Sequence, residues 1–506
     1  MKLLASVFMA AALFSAPALA QSNATGIVYN DRNANGVRDA NEEGIPNVRV
    51  SNQRDVTVTD RDGRYKLPVT DDTILFVVKP RNWSTAVDKD QIPRFYYIHK
   101  PAGSPKQKFP GVAPTGPLPA SVDFPLTAAK EPNTFKALLF GDTQTTNETE
   151  VRYLSHSFLE DLSDTDAAFG ITLGDNGFDN PTILPSVARA LSVTGIPWHY
   201  ALGNHDENYD SPDDEHSTET FQRNFGPAYY SYDYGQVHFI TLDDVKWLGG
   251  SYKGGLGEQQ IAWLKNDLDR CPKGQLVVLS MHIPLTSVED RAGVYRLLEN
   301  RPRAFAIAGH THWMANTFIG KEAGFNRAEP LPLLTNATTC GSWWRGPHDE
   351  MGLPISVMSD GAPNGYSVAV FTGNRYSVEF QAARRPADYQ MSIYTPEVTA
   401  PGAEVFANVF AGSARSTVEM QVDGRGDWRK MERTVQADPT LAKIKSEEPK
   451  DQPYYHQLAA PRQRCQHLWR GTLPNDLPPG IHLIRVRTTD MYGHAYAGRR
   501  SVIVKP

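Results

Sequence analysis

The sequence predicts a multidomain protein in which a central α/β domain lies between two β-rich domains. The chain has 506 residues, which is too long for one hydrophobic core, so two to four domains are expected. From about residue 135 to residue 380, apolar runs of strand length alternate with helical candidates, a pattern typical of an α/β domain. The regions on either side contain short apolar runs separated by turn residues, which indicates β-structure.

The first 20 residues predict a secretory signal peptide. Lys2 gives a positive start, an apolar stretch runs from Leu3 to Pro17, and Ala18-Leu19-Ala20 is a small-residue cleavage site. No later segment has the roughly 20 apolar residues that a membrane-spanning helix needs. We therefore expect a periplasmic or secreted protein without a transmembrane segment, and the sequence leaves its oligomeric state open.

Charge and cysteine content exclude some kinds of site. The net charge is −6 and no basic stripe is present, so binding along a nucleic-acid backbone is not expected. The cysteines Cys271, Cys340 and Cys465 are odd in number, so at most one pair forms a disulfide, and the sequence does not say which. None lies in a Cys-x-x-Cys spacing, which excludes a zinc knuckle.

The first β-rich domain is expected at residues 24–126, as a β-sandwich. Runs such as Gly26–Tyr29 and Val48–Val50 lie between Asn, Asp and Gly turns, and Asp62-Gly63 is a hairpin signal. The stretch from Pro101 to Pro125 is rich in Pro and Gly and is interpreted as a linker towards the next domain.

This domain contains a loop with the residue pattern of a calcium site. Oxygen-bearing side chains stand at loop positions 1, 3, 5, 9 and 12, a glycine stands at position 6, and the carbonyl of position 7 completes the set of Asp31, Asn33, Asn35, Val37, Asp39 and Glu42. Strand candidates flank the loop, so it resembles the calcium loops of secreted bacterial B-type repeat sandwiches. We expect a structural Ca²⁺ that stiffens the domain, and the alternative is an Asn/Asp turn without metal.

The central domain, expected at residues 133–376, carries polar residues after its apolar runs. The strand candidates are Ala137–Phe140, Phe169–Leu173, Val237–Leu242, Leu276–Leu279 and Ala304–Ala308, and the helix candidates are Glu148–Leu162, Ile183–Val193, Glu258–Leu268 and Val294–Leu298. The polar residues are Asp142, Asp175, Asn204, His282, His310 and His312. Because functional residues of an α/β sheet cluster at the carboxyl ends of its strands, we expect these six side chains to meet.

Asp, Asn and His in this order form a ligand set for two metal ions. Two cations about 3.5–4 Å apart neutralise phosphate oxygens and hold a bridging hydroxide for in-line attack. Carboxylate and carbonyl oxygens combined with imidazole favour Mn, Fe or Zn, and Asp175 is the candidate for the bridging carboxylate. A single Gly-Asp pair is usually a turn, and an isolated His282 would more often be a core histidine, but the complete set predicts hydrolysis of a phosphate ester.

The ordered blocks resemble the calcineurin-like metallophosphoesterases. The blocks are Gly141-Asp142-x-Gln144, Gly174-Asp175, Gly203-Asn204-His205-Asp206, His282 and Gly309-His310-Thr311-His312, within residues 136–371. The resemblance implies a four-layer αββα core, with two sheets packed together and helices outside, and it makes His205 the group that protonates the leaving alkoxide. It also implies that one metal is held by Asp142, Asp175 and His312, and the other by Asp175, Asn204, His282 and His310.

The chain departs from the family pattern at two positions. Gln144 stands where the first block usually has His, so a weaker amide ligand, or a contact through water, is expected there. The family often places an Asp three residues after the second-block Asp, where it orients the catalytic His, but here that residue is Phe178. Asp179 follows one residue later and is the candidate for the orienting role.

Substrate contacts are expected in the segment after the last metal block. Trp343, Trp344 and Arg345 can form an aromatic wall and a guanidinium clamp for a phosphate and its organic group. The alternative is a buried Trp pair with the arginine tying down a loop. The segment also resembles the region that precedes the C-terminal domain in secreted bacterial members of the family. The helical pattern disappears after about Arg384, so residues 384–506 are expected to form a C-terminal β-sandwich.

Two functions from different classes follow from these observations. The favoured one is an exported phosphoesterase that cleaves a mono- or diester by attack of a metal-bridging hydroxide, with His205 as general acid. The alternative is a non-catalytic, calcium-stiffened surface-binding protein with a degenerate core, which Gln144 supports. Metal content separates the two, because a binding protein of that kind would hold Ca²⁺ only.

Overall fold

The architecture is that of a computed structural model, which describes residues 22–505. The predicted signal peptide, residues 1–20, lies outside the described residues. Within residues 22–505 there is no helix with both the length and the apolar character to cross a membrane.

The N-terminal region folds into two four-stranded sheets. Its strands are β1 (Ser22–Asn30), β2 (Arg49–Ser51), β3 (Val56–Val58), β4 (Arg64–Val69), β5 (Thr73–Val78), β6 (Trp83–Ser84), β7 (Tyr96–His99) and β8 (Phe124–Ala128). The strand orders are β4-β1-β8-β6 and β3-β2-β5-β7. Strand β5 is buried along its whole length, and its Phe76 meets Trp263 of the central region with ring centroids 6.2 Å apart. The N-terminal sheets therefore share an apolar core with the next region.

The central region contains two sheets that pack face to face. Its strands are β9 (Thr134–Phe140), β10 (Phe169–Leu173), β11 (Trp198–Ala201), β12 (Tyr230–Tyr234), β13 (Val237–Thr241), β14 (Val245–Trp247), β15 (Tyr252–Gly254), β16 (Leu276–Ser280), β17 (Ala304–Ala308), β18 (Ala315–Ile319), β19 (Leu331–Thr335), β20 (Gly365–Thr372) and β21 (Arg375–Ala382). The sheet orders are β11-β10-β9-β20-β21 and β12-β13-β16-β17-β19-β18, and β14 pairs with β15 alone. Phe169 of the first sheet meets Phe239 of the second with ring centroids 5.2 Å apart.

Helices cover the outer faces of both sheets. They are α1 (Glu148–Leu154), α2 (Leu184–Leu191), α3 (Glu219–Phe225), α4 (Gly257–Arg270) and α5 (Arg291–Leu298), and a π-helical turn at Ser155–Leu159 continues α1. Leu154 and Leu184 pack with Phe140 of the first sheet, while Trp263 and Val294 belong to the core of the second. This order of layers confirms the predicted αββα core.

The C-terminal region consists of two further sheets and one helix. Its elements are β22 (Met391–Tyr394), β23 (Val398–Thr399), β24 (Glu404–Val409), β25 (Thr417–Val422), β26 (Arg425–Lys430), β27 (Glu432–Gln436), α6 (Pro439–Glu447), β28 (Cys465–Thr472), β29 (Gly480–Thr489) and β30 (Ala495–Val504). The sheet orders are β22-β24-β28-β27 and β23-β30-β29-β25-β26. The sequence did not predict α6, although Asp438 accepts a hydrogen bond from the Leu441 amide and Pro439 occupies the first turn, which is a helix-start signal.

A buried ion cluster connects the N-terminal sheets to the central region. Arg49 on β2 bonds Asp233 at 2.6 Å and Asp267 at 3.4 Å. The His238 ring lies between the same two carboxylates, at 2.8 and 2.7 Å. Burial lowers the pKa of His238, but Asp267 and Asp233 outweigh it and raise the pKa above the ordinary value. Each buried charge therefore has an opposite partner, as burial of charges requires.

The three cysteines lie apart from one another as buried free thiols. The disulfide that the sequence left open does not form among them.

Candidate metal centre

The predicted ligand residues lie where strands of the two central sheets end. Asp142, Asp175 and Asn204 follow β9, β10 and β11 of the five-stranded sheet. His282 follows β16, and His310 and His312 follow β17, of the six-stranded sheet. The carboxyl ends of both sheets thus contribute to one place, which is where α/β proteins commonly bind ligands.

The ligand loops have an unusual backbone. Asp142, Asp175, His310 and His312 all have positive φ, at 44°, 50°, 72° and 53°. Residues other than glycine rarely adopt this left-handed region, and when they do they cluster at functional sites. The fold therefore holds these four side chains in positions that the local chain does not favour.

Four atoms with lone pairs converge on one point beside His282. Its Nδ1 donates to the Leu173 carbonyl at 2.8 Å, which leaves Nε2 as the atom with a free lone pair. Asp175 Oδ1 lies 3.3 Å from this Nε2, Asn204 Oδ1 lies 3.1 Å from it and His310 Nδ1 lies 3.0 Å from it. Lone pairs at these distances repel one another unless a proton on Nε2 or a metal ion lies between them. The donor set therefore fits a divalent ion, and Asp175, His282 and His310 bring their ligand atoms within 4.8 Å of one another.

The charges of the centre also require a cation. Burial lowers the pKa of His282, yet Asp175 and Asp142 raise it to about 10. Burial lowers the pKa of His310 to about 3, with His282 adding to the shift, so His310 stays neutral and can act as a ligand. Two buried carboxylates thus retain a positive charge next to them, and a bound metal ion supplies that charge in place of a proton.

A second group of ligands lies beside the first. His312 donates from Nδ1 to the Gly341 carbonyl at 2.6 Å, and its Nε2 lies 3.7 Å from Asp142 Oδ1. Burial lowers the pKa of His312 to about 4, so this imidazole can also act as a neutral ligand. A hydrogen bond from the far ring nitrogen to a backbone carbonyl is the usual way to fix the tautomer of a metal-binding histidine.

Gln144 contacts one of the candidate ligands. Its amide nitrogen donates to Asp175 Oδ2 at 3.1 Å, and its carbonyl oxygen lies 3.5 Å from Cys340 Sγ. The side chain therefore braces the carboxylate of Asp175.

His205 lies beside the centre with one ring nitrogen bound and the other free. Its Nδ1 lies 2.5 Å from Asp179 Oδ1, and its backbone amide donates to Asp175 Oδ1 at 2.9 Å. The ring stacks on Phe178 with centroids 4.4 Å apart. Burial lowers the pKa of His205, but Asp175 and Asp179 outweigh it and raise the pKa above its ordinary value. Among residues 22–505, Nε2 has no hydrogen-bond partner, so it is the atom available to a ligand.

The structure adds residues that sequence analysis missed. The buried carboxylate of Asp206 accepts hydrogen bonds from the backbone amides of Asn176, Gly177 and Gly203, so it ties two ligand loops together. Asp244 accepts from the backbone amide of His282 at 3.1 Å. A sequence pattern could have identified both residues, since Asp206 ends the Gly203–Asp206 motif and Asp244 follows the apolar run of β13.

The two adjacent tryptophans have opposite environments. Trp343 is 38% exposed and stacks on the His312 ring with centroids 4.6 Å apart. Trp344 is only 3% exposed, and its indole nitrogen donates to the Thr143 carbonyl at 2.9 Å. Trp344 was expected to contact substrate, but its burial leaves Trp343 as the tryptophan that faces outwards.

Arg345 lies between two aromatic rings from different regions of the chain. Its guanidinium carbon is 4.7 Å from the Trp343 ring centroid and 4.3 Å from that of Tyr454. Tyr454 is 67% exposed and belongs to the segment between α6 and β28. No carboxylate of the described residues lies within 4.0 Å of this guanidinium. The Nε–H of Arg345 donates to the Ser342 carbonyl at 3.2 Å, so its two terminal nitrogens remain for an oxyanion.

The acidic side chains of the predicted calcium loop accept hydrogen bonds from backbone amides of the same loop. Asp31 accepts from the amides of Asn35 and Gly36 at 3.2 and 2.8 Å, and Glu42 accepts from the amides of Arg32 and Asp39 at 2.8 and 3.0 Å. The other predicted ligands are on the same loop, where Asn33 donates to Asp39 and the Val37 amide donates to Asn35. Asp31 and Glu42 are 3% and 2% exposed, and neither has a Lys or Arg within 4.0 Å among residues 22–505.

Comparisons with known proteins agree with this geometry. Three family models match: "Calcineurin-like phosphoesterase" at residues 135–314, "N terminal of Calcineurin-like phosphoesterase" at 32–111 and "C terminal of Calcineurin-like phosphoesterase" at 334–496. No curated protein matches the chain.

Solved structures give weaker likenesses. One is purple acid phosphatase PPD1 from yellow lupin (Lupinus luteus) seeds, with 12% identity, 68% of each chain covered and a TM-score of 0.37. Another is the spore cortex lytic enzyme SleM of Clostridium perfringens, with 11% identity, 74% of this chain and 99% of that chain covered, and a TM-score of 0.16. Neither likeness is close enough to bear on what this chain does.

Proposed function

The chain belongs to the calcineurin-like phosphoesterase family, and we propose that it is an exported hydrolase that cleaves a phosphate mono- or diester with two divalent cations. The observation that carries the proposal is the convergence of lone pairs from Asp175, Asn204 and His310 on Nε2 of His282. One ion would lie in this group. The other would lie between Asp142, Asp175 and His312, since His312 Nε2 and Asp142 Oδ1 face each other at 3.7 Å. Mn, Fe or Zn suits this mixture of oxygen and imidazole ligands.

When bound, the two cations supply charge that neutralises the phosphate oxygens and activates the attacking water. The chain's own residues supply the proton that the leaving alkoxide needs. His205 keeps its Nδ1 proton, which it donates in a hydrogen bond to Asp179. It transfers the proton of Nε2 to the leaving oxygen, after which the imidazole is neutral. The raised pKa of His205 supports this role, because the ring carries both protons near neutrality.

The rim beside His312 suits the organic part of the ester. Trp343 offers an exposed face next to the centre, and Arg345 offers an N–H edge to a phosphate or carboxylate oxygen. The Tyr454 ring also lies against the guanidinium, so a segment of the C-terminal region contributes to this wall. We therefore infer a substrate that is larger than the phosphoryl group alone and carries a flat or anionic group beyond it.

Hydrolysis of p-nitrophenyl phosphate and bis-p-nitrophenyl phosphate, with Mn²⁺, Fe²⁺ or Zn²⁺ added in turn, tests the enzymatic proposal. We expect turnover of at least one ester, loss of turnover in His310→Ala and a strong reduction in His205→Ala. His156→Ala is the matched control, since this exposed histidine contacts Glu160 far from the centre. Absence of turnover with every ion, in a chain that binds only Ca²⁺, would instead favour the surface-binding protein.

We also propose that the loop at residues 31–42 binds a structural Ca²⁺. The support is that the buried carboxylates of Asp31 and Glu42 accept from backbone amides but have no cationic side chain, because a buried charge is costly without an opposite charge. Calorimetric titration of the full chain with Ca²⁺ should show one site that Glu42→Gln weakens. Asp62→Asn, on the neighbouring hairpin turn, should leave the affinity unchanged. Equal affinities of the wild type and Glu42→Gln would refute the site.

A further inference from the structure

The hydroxyl of Tyr209 lies against the pair formed by His205 and Asp179. Its oxygen is 3.1 Å from His205 Nδ1, the same nitrogen that lies 2.5 Å from Asp179 Oδ1. Tyr209 is four residues after His205, so the loop that presents the histidine also presents this hydroxyl.

Trp247 fixes the position of the Tyr209 ring. The two rings are stacked, with centroids 5.1 Å apart and planes 13° from parallel. Trp247 is itself held from both ends, since its indole nitrogen donates to the Ser211 carbonyl at 2.8 Å and its backbone amide donates to Asp214 at 2.6 Å. A partly exposed tyrosine with such a support has little freedom to turn its hydroxyl away from His205.

The proton count decides which way the hydrogen bonds run. His205 Nδ1 carries one proton, and the Asp179 carboxylate is its nearest acceptor. The Tyr209 hydroxyl oxygen has free lone pairs and lies 3.1 Å from the same nitrogen, so it is the second acceptor for this proton. Together the two acceptors hold the ring in the orientation that keeps His205 Nε2 free.

We propose that Tyr209 is a positioning residue, which together with Asp179 holds the His205 ring in the orientation for proton transfer to the leaving alkoxide. This inference rests on the proposed function. A group that positions the proton donor matters most for esters whose leaving group cannot depart without a proton. It matters least for p-nitrophenolate, which departs readily as an anion.

The test compares leaving groups in the Tyr209→Phe variant, which keeps the ring and its stacking on Trp247. The substrates are p-nitrophenyl phosphate and methyl phosphate, or the corresponding diesters if the wild type prefers diesters. General acid catalysis contributes about 10²–10⁴-fold, so we expect kcat for the methyl ester to fall at least about tenfold. We expect kcat for the p-nitrophenyl ester to fall less than about threefold, with KM unchanged for both.

Tyr252→Phe is the matched control. This tyrosine has the same exposure as Tyr209, 38%, and its ring lies 6.1 Å from the ring of His310, on the other side of the centre. We expect any change in kcat caused by Tyr252→Phe to be the same for the methyl ester and the p-nitrophenyl ester. An equal loss on both esters in Tyr209→Phe, or no loss on either, would overturn the inference.

A second readout needs no turnover. In the Zn²⁺-loaded full chain labelled with ¹⁵N-histidine, the Nδ1–H resonance of His205 is assigned by its absence in His205→Gln. We expect Tyr209→Phe to shift or broaden this resonance and Tyr252→Phe to leave it in place. An unmoved resonance in Tyr209→Phe would contradict the positioning role even if activity fell. A wild type that is inactive on every ester would instead refute the proposed function, and this inference with it.

Discussion

Removal of the divalent ions is expected to destabilise the central region. Asp142 and Asp175 are 0% and 1% exposed, and no Lys or Arg of the described residues lies within 4.0 Å of either carboxylate. The loops that carry them have left-handed backbone at Asp142, Asp175, His310 and His312. A bound ion would offset both costs, the buried charge and the backbone strain, and would bind only the folded chain.

The size of the effect follows from mass action. An ion at about 100 times its Kd stabilises the folded state by about 2.7 kcal/mol. For a folded unit of about 150–250 residues, 1 kcal/mol corresponds to about 2–4 °C in Tm. We therefore expect Tm to fall by about 5–11 °C for each ion lost, and by about twice that when both are removed.

Thermal unfolding of the full chain, followed by circular dichroism, measures this shift. The chelator is dialysed away and Ca²⁺ is kept in all buffers, so the loop at residues 31–42 does not contribute. His282→Ala should have a low Tm that Zn²⁺ or Mn²⁺ no longer raises. His199→Ala is the control, because this buried histidine on β11 lies outside the ligand set and its loss should leave the metal-dependent shift intact. The reasoning is refuted if the wild-type Tm does not depend on metal, or if His282→Ala keeps the full shift.

Three further predictions concern stability. Arg49→Met should cost about 3–5 kcal/mol in urea unfolding because it leaves buried carboxylates unpaired, whereas Arg64→Met, in an exposed pair with a side chain 61% exposed, should cost less than about 1 kcal/mol. Burial raises the pKa of Asp233, but Arg49 outweighs burial and the pKa falls to about 2. The ionised Asp233 should therefore contribute about 2–3 kcal/mol to the free energy of unfolding above pH 4, and this contribution should be lost as the pH falls towards 2. Trp344→Ala should cost about 3–5 kcal/mol, whereas Trp343→Ala should change Tm little and raise KM; equal destabilisation by the two would contradict the assignment.

The sequence predicted those strands of the central region that are continuous apolar runs. Phe169–Leu173 and Ala304–Ala308 are β10 and β17 with unchanged bounds. It gave no signal for β11, because His199 and Tyr200 interrupt the apolar pattern of a strand that is nonetheless fully buried. It also gave none for β20 as the neighbour of β9, since that pairing joins segments more than 200 residues apart. Local patterns predict elements, and tertiary packing decides which of them become adjacent.

In the candidate site, too, local sequence patterns predict some features and tertiary packing decides the others. The types and order of the ligand side chains were sufficient to predict which residues gather at the strand ends. The contact of Gln144 with Asp175, in contrast, depends on how two loops meet. Trp343 and Trp344 both have positive φ, at 59° and 53°, and only the path of this turn decides which indole faces outwards. Tyr209 had no motif of its own, because its contact with His205 depends on how the loop after the motif turns back on the ring.

Close packing between neighbouring loops, and not turn geometry alone, explains the glycines of the motifs. Gly203 has a φ of −119°, which any residue can adopt, so backbone conformation does not require glycine there. A Cβ on Gly203, however, would lie 1.9 Å from the Asp175 amide nitrogen and 2.3 Å from Asp175 Oδ1. At Gly174 a Cβ would lie 2.5 Å from His282 Nδ1. Any side chain at these positions would push one ligand loop away from the next. The motifs therefore encode the spacing between neighbouring loops, and this close approach is what allows Asp175, Asn204 and His282 to face a common point.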